Sequence, residues 1–139
     1  MFGWLKRTRR KRLPADRLRA AVPEILSAYA ALNTKHPNAM MDASWLPVDK
    51  EQMVEVFKIA WLRAKTTEAR NSIERCWLFL PFFQVGVGGS PIDMRIPTDA
   101  SPRETISAID RLTPWEDLAA AEFRIRRREI HEFRKANSN

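Results

Sequence analysis

The residues of this chain best placed to do chemistry are cations. Lys6, Arg7, Arg9, Arg10, Lys11 and Arg12 crowd into the first twelve positions with no carboxylate among them. A second group, Arg124, Arg127, Arg128, Arg134 and Lys135, falls within "FRIRRREIHEFRK", at spacings that let them share a broad helix face. Unpaired charges resist burial, so the first group is expected to stay outside any core as a mobile arm. Cations in such numbers bind anions of three kinds. Six contacts to duplex phosphates would give a log–log salt slope of about −5. On an anionic membrane each Lys or Arg would add about 1 kcal/mol. On an acidic protein the charges would steer association. Phe2, Trp4 and Leu5 stand just ahead of the arm's charges. They could anchor in a membrane interface or on a partner protein, and Trp4 could stack on a base.

Other chemistry finds few residues to carry it. His36 and His131 lie far apart, the chain has one cysteine, and no HxxxH or HExxH spacing occurs. A zinc site, or any other metal site, is therefore not expected. Cys76 falls on an apolar stripe beside Trp77 and reads as a buried, inert thiol. "GVGGS" lacks the GxxxxGK[ST] and GxGxxG patterns and reads as a turn. There is no GxSxG elbow. With no base, nucleophile or metal-ligand set to assign, the chain is read as non-catalytic and without a cofactor.

The charge distribution shapes this reading more than the total does. The chain has 139 residues and a net charge of +7. Residues 13–122 hold 12 basic and 15 acidic residues, a net of −3, while residues 123–139 carry a net of +4. A slightly acidic body is thus bracketed by basic ends, and the inference from a high pI to an anionic partner applies to the ends. The single cysteine rules out an intrachain disulfide, so the cytoplasm is the expected compartment. "FGWL" before the charges is the reverse of a secretory signal, and Gly3 is misplaced for myristoylation. The longest apolar stretch, "CWLFLPFFQVGVGG", is too short to span a bilayer.

The elements that must position these residues are mostly helices. Leu18, Val22, Ile25, Tyr29 and Leu32 recur on one helical face, with Pro23 inside it as an expected kink or restart. Asp49 and Gln52 read as a capping box, with Val48 and Met53 as its staple, ahead of the helical "KEQMVEVFKIAWLRAK". The pattern weakens at "TTEARNS" and resumes through Ala69, Ile73, Cys76, Trp77 and Leu80. A break near 66–71 is slightly favoured over one long helix. Beyond Pro81 the period changes to two, on both sides of Gly88-Gly89-Ser90-Pro91, which suggests a hairpin. Ser101-Pro102-Arg103-Glu104 and Thr113-Pro114-Trp115-Glu116 each read as a cap, a first-turn proline and a capping-box Glu. The final helix would turn Ala119, Phe123, Ile130 and Phe133 inward.

The expected fold is mainly α: a compact bundle of four to six helices with a small β-hairpin near residues 82–97. Residues 1–13 form the basic arm and residues 14–139 a single helical domain. The expected function is that of a non-catalytic helical interaction module whose arm docks on an acidic or anionic partner, an acidic protein surface first. One alternative is a nucleic-acid-binding protein that uses the arm and the C-terminal basic helix. Another is a peripheral membrane-surface protein. The broad apolar surface near Phe57 and Trp61 would also allow a homo-oligomer.

Overall fold

In a computed structural model of the chain, residues 12–35, 41–42, 46–84, 101, 103–104, 107 and 117–138 are described. Four helices make up most of them: α1 (Ala15–Lys35), α2 (Lys50–Arg63), α3 (Thr67–Phe79) and α4 (Asp117–Asn137). A 3₁₀ turn, Leu80–Phe82, follows α3. The molecule is mainly helical, as the periodicity predicts. α1 packs on α2, α2 on α3, and α3 on α4, while α4 also covers the 3₁₀ turn.

α1 buries Leu18, Val22, Ile25 and Tyr29, the stripe read from the sequence. The helix does not restart at Pro23 but runs through it. A proline at this position has no N–H to give to the carbonyl one turn back, at Arg19. The guanidinium of Arg63, at the end of α2, donates to that carbonyl instead, with Nη1 3.2 Å from the oxygen. A neighbouring helix thus supplies the hydrogen bond that the proline removes.

α2 starts where the cap predicts. The Asp49 carboxylate accepts from the Gln52 N–H at 2.8 Å, and Val48 and Met53 are both fully buried as a staple. The return half of the box is not made. Gln52 spends its side chain on Leu13 instead, accepting from its N–H at 2.9 Å and donating to its carbonyl at 2.7 Å. Residues 50–80 form two helices. Ala64 is extended, with φ −67° and ψ 136°, and Thr66 caps α3 by accepting from the Ala69 N–H at 3.0 Å.

The β-hairpin expected at 82–97 is not supported. Phe83–Gln84 (β2) pair in parallel with Met41–Asp42 (β1), so the first expected strand meets the segment after α1. The rest of that range lies outside the described residues. Period-two alternation marks a strand but does not name its neighbour, which is why the expectation erred on the partner. At the next predicted start, the Ser101 Oγ accepts from the Glu104 N–H at 3.2 Å, and Arg103 and Glu104 are helical. The second start, at residues 113–116, lies outside the described residues, as do Ala119's surroundings.

The core is organised around aromatic rings, with at least one from each of the four helices. Tyr29 of α1 meets Phe57 of α2 edge-on at 5.4 Å, and Phe57 stacks on Trp77 of α3 at 6.1 Å. Trp77 meets Phe133 of α4 at 5.8 Å, and Phe133 also meets Trp61 at 5.3 Å. Each such contact adds about 0.5–1.5 kcal/mol to the burial of its rings. The Tyr29 hydroxyl donates to the Cys76 carbonyl at 2.7 Å, and burial holds its pKa well above the usual value. The apolar surface around Phe57 and Trp61 is therefore covered within the chain.

Candidate functional site

α4 carries three kinds of side chain on three sides. Toward the core it sends Phe123 and Ile130, both buried, and the half-buried Phe133. Along its flank runs a chain of charges. Arg126 pairs with Glu122 at 3.1 Å and Glu129 at 3.0 Å. Lys50, at the start of α2, pairs with Glu122 at 3.2 Å, and Trp77 donates its indole N–H to Glu129 at 3.2 Å. Burial pushes the pKa of Lys50 down against the pull of Glu122, and the Arg126 charge pushes it the same way. For Arg126, burial works downward, but the hydrogen bonds and charges of Glu129 and Glu122 outweigh it and leave the pKa raised.

The third side faces water. Arg124, Arg127, Arg128, His131 and Lys135 are exposed and fall on successive turns of one helix face. Among the described residues Arg124, Arg128 and Lys135 form no ion pair: Glu132, one turn from Arg128, does not pair with it, and the flanking carboxylates Glu122 and Glu129 are taken up by Arg126 and Lys50. Arg134, expected with this group, lies to one side and reaches back to the buried Glu74 at 3.5 Å. Glu74 also accepts from the Trp61 indole N–H at 3.0 Å, so that pair ties α4 to α2 and α3.

At the other basic end, Arg12 is held. Its Nη1 lies 2.7 Å from Asp49 and 3.6 Å from Glu51, with more than half of its side chain exposed. Together with the two Gln52–Leu13 hydrogen bonds, this fixes the chain where the arm meets the body. Lys6, Arg7, Arg9, Arg10 and Lys11 lie outside the described residues, as do Phe2, Trp4 and Leu5. An open groove of about 520 Å³ adjoins this root, lined by Arg12, Arg19, Glu51, Gln52, Glu55 and Ile59 among others. Its charges of opposite sign nearly balance, so it favours neither anion nor cation.

Consecutive residues where α2 begins each hold a charge from another part of the chain. Asp49 holds the arm's root, and its neighbour Lys50 holds Glu122 in the first turns of α4. Sequence reasoning missed this link, together with the roles of Gln52, Arg63 and Glu74. The only signal for them was polar residues on otherwise apolar helix faces.

Other candidate chemistry is not assembled. Among the described residues no three His, Cys, Asp or Glu side chains group to hold a metal ion. Cys76 is half-buried against the core, and burial pushes its thiol up to about 11 despite the opposing charge of Arg75. A thiol with that pKa is protonated at neutral pH and a poor nucleophile. His36 lies outside the described residues. No described helix is long and apolar enough to cross a membrane. The chain matches no protein-family model, no curated protein and no solved structure.

Proposed function

We propose that the protein is a non-catalytic interaction module that docks on an acidic or anionic partner. Its helical body is the scaffold and its basic ends make the contact. The observation that carries this reading is the segregation of charge. The body nets −3, while the arm and the outward face of α4 concentrate cations. On α4, Arg124, Arg128 and Lys135 stand exposed without ion pairs among the described residues. Charge held out of internal pairs is available to an external one. The working arm is residues 1–11, because Arg12 and Leu13 are fastened to α2.

The membrane alternative draws no support from α4, whose apolar side is spent on the core. It rests on the arm, through its cations and through Phe2, Trp4 and Leu5.

The test uses the full chain and a chain lacking residues 1–11, which keeps the Arg12–Asp49 pair. Binding is measured in low salt to polyglutamate, to nucleic acid and to anionic vesicles. The reading expects the full chain to bind at least one of these polyanions and the deletion to weaken that binding at least tenfold. Binding to none, or binding that the deletion leaves unchanged, would remove the arm from the mechanism.

A further inference from the structure

We infer that α4 is a strap: it lifts off the molecule as one unit while α1, α2 and α3 stay folded beneath it. This goes beyond the docking reading and does not depend on what the basic face of α4 binds.

α1, α2 and α3 close on one another without help from α4. α1 and α2 meet through Tyr29 and Phe57, and through the Arg63 hydrogen bond to the Arg19 carbonyl. α2 and α3 meet through Phe57 and Trp77, and through the Trp61 indole N–H on Glu74. The Tyr29 hydroxyl on the Cys76 carbonyl joins α1 to α3. Of the eighteen buried hydrophobic residues among those described, α4 supplies two, Phe123 and Ile130.

α4 is held in a different way. Its apolar contacts are those of Phe123, Ile130 and the half-buried Phe133. The rest of its attachment is polar. Glu122 meets Lys50 and Glu129 meets the Trp77 indole along one flank, and Arg134 meets Glu74 on the other. A polar link exchanged for water contributes less net free energy than an apolar side chain kept out of it. Opening is therefore resisted mainly by three side chains, whereas unfolding the other helices exposes the remaining sixteen buried ones. Docking also leaves the Arg126 Nε buried with no acceptor, a cost that opening relieves.

The helix can leave and return intact. Arg126 pairs with Glu122 and Glu129 inside α4, at spacings of four and three, and these pairs travel with it. The Asn137 side-chain amide donates to the Phe133 carbonyl and the Ser138 hydroxyl to the Arg134 carbonyl, which closes its last turn. Lys50 and Glu74 are mostly buried, so each draws its own counter-charge back and sets the register of return. What the strap uncovers is an aromatic seat: Trp61 loses Phe133, and Trp77 loses Phe133 and Glu129.

Native-state hydrogen exchange at low urea, followed by NMR on the full-length protein, tests this. The backbone amides of α4 and the Trp77 indole N–H should share one opening, at least tenfold more frequent than that of the Val56 and Phe57 amides in α2. Its urea dependence should be weaker, because less surface is exposed. Gln52→Leu weakens the joint between Leu13 and α2, which stays made when α4 lifts. It should speed exchange in α2 at least tenfold and leave α4 unchanged. α4 amides with the opening constant and urea dependence of α2 would overturn the inference. Exchange that slows smoothly inward from Asn137, the mark of end fraying, would do the same. So would a Gln52→Leu chain in which α4 speeds up along with α2.

Discussion

Pro23 inside α1 and Arg63 at the end of α2 form a pair that a double-mutant cycle resolves. The hydrogen bond from Arg63 to the Arg19 carbonyl fills a vacancy that only a proline at position 23 creates. Hydrogen bonds from charged donors contribute about 1.5–3 kcal/mol when buried. This one is exposed, so about 1 kcal/mol is the better figure. Arg63→Met, which keeps the apolar stem, should lower the unfolding free energy by that amount. Pro23→Ala restores a backbone donor to Arg19 and relieves a helix-interior proline that costs about 3 kcal/mol. Since Arg63 already offsets part of that cost, the expected gain is about 2 kcal/mol. In the Pro23→Ala background Arg63→Met should cost close to nothing, leaving a coupling of about 1 kcal/mol. Urea unfolding followed by circular dichroism measures all four proteins, with the m-value held constant as a control. Equal costs of Arg63→Met in the two backgrounds would refute the compensation, and destabilisation by Pro23→Ala would refute a helix that runs through residue 23.

Gln52→Leu should cost about 2 kcal/mol in urea unfolding, because it strips both hydrogen bonds from the Leu13 backbone; a loss below about 0.5 kcal/mol would mean that water replaces them. Phe57→Ala, which opens a hole between Tyr29 and Trp77, should cost about 3–5 kcal/mol by the same assay. Glu122→Gln, which leaves Lys50 and weakens Arg126 at a partly buried position, should cost about 1–2 kcal/mol at pH 7. The Cys76 thiol is raised from 9.0 to about 11 in the fold. Its contribution to stability is complete below pH 9 and fades as pH rises toward 11, since only the unfolded chain ionises there. Between pH 8 and pH 10.5 the wild type should therefore lose stability that Cys76→Ala retains, and parallel stability curves would show that the thiol titrates alike in both states.

Helix faces and caps were legible because they are local. The stripe from Leu18 to Tyr29, the Asp49 cap with its Val48–Met53 staple, and the Ser101 cap each depend on residues within a few turns. What failed depended on distant partners. Pro23 reads as a break until Arg63 is beside it, and Gln52 reads as half of a capping box until Leu13 is within reach. The alternation at Phe83 marks an extended segment, but only the fold sets Met41 next to it. The cations of the candidate site were visible as composition. Which of them are already committed was not: Arg134 belongs to Glu74 and Arg126 to Glu122 and Glu129, whereas Arg128 leaves Glu132, one turn away, unpaired with it.

The ring-to-ring line from Tyr29 through Phe57 to Trp77 uses three helices that follow one another directly along the chain, while Phe133 arrives more than fifty residues later. During synthesis the first three helices can therefore collapse onto one another before the fourth has left the ribosome. Until it docks, Trp61 lacks its Phe133 cover, Lys50 its counter-ion, and the Trp77 indole its acceptor. A nascent chain stalled short of residue 117 would carry an oily, half-charged seam. A holding chaperone would be expected to recognise that seam, and the last helix seals it.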